Sequence, residues 1–176
     1  MCIRDRLWIG APGWASTNVE KIRAKSYGYG ELMELTESDE TLAYANLDNA
    51  IKAGKPWVGF CYTPHYVFVL HDMQILEEPP HDAAGWKVIQ PTDDPAWLEK
   101  SSAGMAWDTA YLHLHFAKSV ADQHPEVAKL FENMKLDTDT VSAMTYALVI
   151  DKKDPAEYAK DWVAENEDQV LDWLSQ

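Results

Sequence analysis

The chain has 176 residues, 29 acidic against 15 basic for a net charge of −14, and is 47% hydrophobic with eight tryptophans. That supplies core material for one domain or two small lobes, while the acidic balance argues against nucleic acid or an anionic membrane as partner. No apolar run approaches the ~20 residues of a membrane helix, so no direct membrane insertion is expected, the N-terminus lacks the ~7–15-residue apolar core of a signal peptide, and Cys2 and Cys61 suggest neither a disulfide framework nor a zinc site.

Leu7 to Gly10 reads as a short strand turned by Pro12-Gly13. Thr17 followed by Glu20 has the spacing of a capping box, which predicts a helix from about Asn18 to Lys25. Leu32 to Leu35 reads as the next strand. Ser38 then caps a helix whose Ala43, Leu47, Ala50 and Ile51 share one face, and Gly54 ends it. Trp57 to Cys61 is nearly all apolar, as a strand buried on both faces reads, and Thr63-Pro64 stops it in a form that suits the first turn of a following helix. The order β-α-β-α-β and then a helix predicts an α/β fold with a parallel or mostly parallel sheet covered by helices. Tyr62 and His65 then fall at the C-terminal end of a strand, where open α/β sheets place their ligands.

Beyond Glu77 the chain is rich in Pro, Asp and Gly, with only Trp86 to Ile89 strand-like, and Asp94-Pro95 opens a short helix through about Lys100. Ala110 to Phe116 alternates strictly, Leu112, Leu114 and Phe116 facing one way and Tyr111, His113 and His115 the other, which predicts a strand with one wetter face. His124-Pro125 opens a helix with Val127, Leu130, Phe131 and Met134 on one stripe. Asp137 or Thr138 caps another, and Asp154-Pro155 starts a last helix with Tyr158, Trp162, Val170 and Trp173 mostly on one side.

The stretch Tyr62-Thr63-Pro64-His65-Tyr66, with Asp72, Leu76 and Glu77 after it, carries a family resemblance that Gly13-Trp14 and the run from His124 to Phe131 share. It is similar to the segment that follows a binding-site aromatic in substrate-binding proteins of glycine betaine/proline-type (quaternary amine) ABC transporters. The resemblance covers most of Leu7 to Gln176 and implies a two-lobed, type II periplasmic binding protein-like fold. In that reading residues 1–6 are an adventitious lead-in, 7–78 a nearly complete α/β ligand-binding lobe, 79–105 the crossover or hinge connection, and 106–176 the C-terminal part of the other lobe. The chain would be a C-terminal fragment of a receptor that is periplasmic or otherwise extracytoplasmic at full length, and the remnant lobe would leave apolar surface uncovered.

The chemistry implied is recognition without reaction, with no cofactor and an ABC transporter permease as partner. A quaternary ammonium offers no N–H, so a protein holds it by dispersion and by the negative faces of aromatic rings, at up to ~2 kcal/mol per desolvated contact. Trp14 matches the family's cage tryptophan, Tyr62 stands where the family has another cage aromatic, and Trp107 is a further candidate. The resemblance assigns the ligand's carboxylate to the backbone N–H groups of Ala15 and Ser16. His65, placed in the first turn of a helix whose dipole disfavours imidazolium, is expected to be a neutral ring donating one N–H. Trp57, Trp162 and Trp173 read as core. Glycine betaine, proline betaine, dimethylsulfoniopropionate, carnitine and choline all fit this chemistry. The alternative is a metal-dependent hydrolase built on His113 and His115 with Asp108 nearby.

Overall fold

Parallel strands need a crossover between them, and the computed structural model, which describes residues 6–175, meets that need with a helix each time. Strand β1 (Arg6–Trp8) is central, flanked by β2 (Glu34–Thr36) and β3 (Val58–Gly59) in the order β2-β1-β3, both parallel to it. Leu7 stands opposite Leu35 and Val58, and Trp8 opposite Thr36 and Gly59. Helix α1 (Ala15–Tyr27) joins β1 to β2, and α2 (Glu40–Lys52) joins β2 to β3. The lead-in expected over 1–6 lies outside the described residues except for Arg6, which opens β1 and pairs with Glu34 at 3.3 Å.

The boundaries differ from those expected, for local reasons. Helix α1 starts at Ala15 instead of Asn18, and there is no capping box: Thr17 lies inside the helix and donates its hydroxyl to the Ala11 carbonyl at 2.7 Å. Glu20 faces Arg23 and Trp107 instead of the helix start. Asp39, not Ser38, caps α2, accepting from the Thr41 N–H at 3.0 Å, while the Ser38 hydroxyl donates to the Asp39 carbonyl at 3.3 Å and the Ser38 carbonyl accepts from Trp8 Nε1 at 3.1 Å. The buried face of α2 is Ala43, Tyr44 and Leu47, while Ile51 is 49% exposed. Strand β3 is short and half-buried rather than covered on both faces, and Trp57 folds over Gly59 so closely that a Cβ there would meet its ring at 2.2 Å.

The chain divides into two compact units, one made of the described part of Met1–Cys61 with Ile75–Thr109, the other of Tyr62–Gln74 with Ala110–Gln176. In the first unit, α1 fastens the long excursion 75–109, a stretch the sequence divides between the end of a lobe and a separate connection. Asn18 Nδ2 donates to Gln90 Oε1 (3.0 Å), Lys25 Nζ to the Ser101 carbonyl (2.6 Å), Arg23 Nη1 to the Met105 carbonyl (2.9 Å), and Ser26 Oγ accepts from the Ala103 N–H (3.0 Å). Trp86 to Ile89 contributes only an isolated antiparallel bridge from Lys87 to Ser102.

The second unit is helical among its described residues: α3 (Val67–Leu70), α5 (Lys118–Gln123), α6 (Pro125–Asn133), α7 (Thr138–Val149), α8 (Pro155–Glu165) and α9 (Glu167–Ser175), with α4 (Trp97–Lys100) belonging to the first. Ala110 to Phe116 is not a strand. Its alternation is real, but a strand needs a neighbour to take its backbone bonds, and here Tyr111 and Leu112 are 75% and 81% exposed. Asp137 caps α7 through the Thr140 N–H at 2.7 Å, and Asp154 caps α8 with Pro155 at its first position. The single last helix expected from Asp154 onward is two, broken at Asn166, whose side-chain amide donates to the Trp162 carbonyl at 2.8 Å. On α6 Ala128 is the buried residue, whereas Val127 of the expected stripe is 36% exposed.

This burial pattern sets the cost of truncation. Ile22, fully buried on α1, should lose about 2–5 kcal/mol on replacement by alanine, while Leu112→Ala should stay within about 0.5 kcal/mol of the native chain. Urea unfolding followed by tryptophan fluorescence checks both. Equal losses would mean that the 110–116 segment is packed after all.

Candidate functional site

The turn from β1 to α1 is built on a close approach. Gly10 has φ +121°, and a Cβ there would lie 2.3 Å from Thr17 Oγ1, the atom that bonds the Ala11 carbonyl. Gly13, at φ +89°, then swings the chain so that Trp14 becomes the residue before the first turn of α1. The Trp14 indole is half-buried and edge-on to Trp8 (6.2 Å, 70°), which is edge-on to the buried Tyr44 (5.7 Å, 65°). Ala15 and Ser16 open α1 with no acidic residue in the first turn and no capping side chain, so its positive end is not countered locally. Cys61, beside Tyr44, has its thiol pushed up to about 11, mainly by burial, and behaves as the small hydrophobe its composition suggests.

In the second unit Tyr62 and His65 come together. Tyr62 is 40% exposed and edge-on to the His65 imidazole at 5.2 Å; His65 is buried and also lies 4.3 Å from the Tyr66 ring. His65 precedes α3 instead of standing in its first turn, and its Nδ1 accepts from the Val67 N–H at 3.2 Å. Its backbone N–H donates to Ser142 Oγ at 3.1 Å, and the same hydroxyl donates to the Thr138 carbonyl at 2.7 Å. Ser142 escaped the sequence reading because a serine inside an amphipathic helix carries no signal of its own.

Trp107 belongs to another cluster in the first unit, packed on Trp86 (5.4 Å) and Phe60 (6.3 Å), with Nε1 donating to Glu20 Oε1 at 2.8 Å. Glu20 and Arg23 are both buried and paired at 3.1 Å, and Arg23 also pairs with Glu78. Burial pushes the Glu20 carboxyl above its ordinary value near 4.5, against the pull of Arg23 and Trp107. Within the first unit Trp14 stands with Ala15 and Ser16 and Trp107 with Glu20, and within the second Tyr62 stands with His65.

The hydrolase alternative loses its footing. Without a strand at 110–116 nothing holds His113 and His115 in alternation, and their rings lie 6.5 Å apart. Asp108 accepts from the Thr109 N–H, and among the described residues no three His, Cys, Asp or Glu side chains are grouped as a metal ion requires.

Over residues 1–165 the chain matches the family described as the substrate binding domain of ABC-type glycine betaine transport systems, OpuAC. It is 23% identical over 173 residues to the glycine betaine/proline betaine-binding periplasmic protein of Salmonella typhimurium, covering 94% of this chain and 51% of that protein. It is also 24% identical over 140 residues to the glycine betaine/carnitine transport binding protein GbuC of Listeria monocytogenes, covering 80% and 39%. The crystal structure of lactococcal OpuAC, closed and complexed with glycine betaine, superposes on 99% of this chain and 63% of that one with a TM-score of 0.61 at 20% identity, which establishes the fold. The chain spans about half the length of the curated relatives it matches.

Two changes probe this architecture. Gly10→Ala puts a Cβ where Thr17 Oγ1 sits, at a φ that disfavours it, and should cost about 1–3 kcal/mol in thermal or urea unfolding; an unchanged midpoint would mean that the turn is not constrained. Because the raised Glu20 carboxyl favours the protonated folded form, its contribution is present below about pH 4.5 and lost as pH rises through the higher folded value. Glu20→Gln should therefore flatten the fall in stability just above pH 4.5, and a parallel curve for variant and native chain would contradict the assignment.

Proposed function

The chain belongs to the family of substrate-binding domains of ABC-type glycine betaine transport systems, and from that premise we propose that it takes part in binding a zwitterionic osmolyte outside the cytoplasm for delivery to a transporter permease. The observation that carries this reading is Trp14 standing immediately before α1. An electron-rich indole face and the positive end of a 13-residue helix are neighbours there, and they suit the two ends of a betaine. In this proposal Trp14 in the first unit and Tyr62 in the second each offer a ring face to an ammonium, with Trp107 a lesser contributor because its ring is packed against Trp86 and Phe60. The N–H groups of Ala15 and Ser16 and the ring of His65 donate to the carboxylate.

Glycine betaine is the ligand favoured, since the relatives' descriptions have it in common. Proline betaine, carnitine and dimethylsulfoniopropionate share its carboxylate and onium group. Choline lacks the carboxylate.

Tryptophan fluorescence should respond saturably to glycine betaine, and Trp14→Ala should weaken that binding by up to about 2 kcal/mol. Choline should bind more weakly by about 1.5–3 kcal/mol per lost charged hydrogen bond. Equal affinity for the two ligands would remove the carboxylate half of the proposal, and no saturable response to either would remove the whole of it.

A further inference from the structure

Resting on that reading, we propose that Ser142 is a positioning residue for carboxylate recognition, holding His65 so that its ring presents an Nε2–H donor. Ser142 lies on α7 and His65 just ahead of α3, distant in sequence but inside one unit and both buried, at 4% and 7% exposure. The Ser142 hydroxyl has one proton, and the Thr138 carbonyl 2.7 Å away takes it, so toward His65 the oxygen can only accept. It accepts the His65 backbone N–H at 3.1 Å, which anchors the segment at that residue. Two residues on, the Val67 N–H donates to His65 Nδ1 at 3.2 Å. A ring nitrogen that accepts from an amide carries no proton, so the imidazole is neutral and its proton is on Nε2.

The anchor and the tautomer are linked. The Val67 N–H···Nδ1 bond closes a two-residue ring set by the backbone torsions of His65 and Tyr66, and that segment is held at one end by the Ser142 bond to the His65 N–H and at the other by fully buried Val67. Tyr62, edge-on at 5.2 Å, limits the swing of the imidazole. Loss of the Ser142 hydroxyl would leave a buried backbone N–H without its acceptor and free the ring to turn over. His65 would then keep its identity but lose its aim toward an anion. The ammonium half of the ligand, recognised by aromatic faces, would not register the change.

Histidine side-chain NMR on the native chain tests the tautomer directly, using long-range proton–nitrogen correlations near neutral pH. His65 should show a protonated Nε2 and an unprotonated Nδ1, and a protonated Nδ1 would overturn the inference whatever the ligand data say. Titrations with glycine betaine and choline then compare the native chain with Ser142→Ala. We expect roughly tenfold weaker glycine betaine binding and unchanged choline binding in the variant, with the His65 nitrogen shifts moving toward a tautomer mixture. Equal weakening for both ligands, or for neither, would reduce Ser142 to a packing residue. A native chain that binds neither ligand would defeat the receptor reading and this carboxylate role together, whereas native binding with an unresponsive Ser142→Ala would defeat the present inference alone. Should Ser142→Ala fail to fold, Ser142→Cys, near in volume but a poor acceptor, takes its place in the same comparison, with the same expected and overturning results.

Discussion

Strand β1 has a parallel neighbour on each edge, and the rest of the sheet unit follows from that constraint. A parallel pair cannot be closed by a tight turn, so each neighbour obliges the chain to cross over, and the crossovers are α1 and α2. The pairing continues past the strand ends, Ile9 N–H to the Thr36 carbonyl at 3.0 Å and Phe60 N–H to the Trp8 carbonyl at 2.8 Å. It delivers the Gly10-to-Trp14 turn and the Phe60-Cys61 segment to the same C-terminal edge of the sheet, the edge at which open α/β sheets hold ligands.

Helix α1 has two duties. Its first residues are proposed to face the ligand, and its body, through Asn18, Glu20, Arg23, Lys25 and Ser26, holds the 75–109 excursion in place. That hold is polar, and Glu20 and Arg23 within it are buried. A buried ion pair such as Glu20–Arg23 adds little net stability over well-packed apolar residues, yet removing one partner is costly because the other charge is left stranded. The network therefore acts as a geometric lock: it tolerates few arrangements other than the one in which Trp107 and Glu78 also find their bonds.

Much of this was legible in the residues. The β-α-β-α-β order gave the parallel sheet, Asp137 or Thr138 and Asp154-Pro155 marked helix starts, of which the first is capped by Asp137, and the resemblance around Tyr62 to Glu77 led to the family that the comparisons establish. Failures came where a local pattern had two physical outlets. Thr17 and Glu20 had capping-box spacing, but a hydroxyl beside the Ala11 carbonyl and a carboxylate beside Arg23 and Trp107 found stronger partners. Ala110 to Phe116 had strand alternation, and alternation describes which way side chains point, not whether another backbone lies alongside.

The sequence by itself determined the class of the sheet, the family, and the residue types proposed for a betaine, because periodicity, turn chemistry and aromatic placement act over a few residues at a time. Only the tertiary structure decided that Trp107 gives its N–H to Glu20, that the 75–109 excursion packs on α1, and that the Ser142 hydroxyl accepts the His65 backbone N–H. Those pairings span 87 residues in the first case and 77 in the last. A hydrogen bond at such separation exists only when the whole fold brings donor and acceptor within about 3 Å.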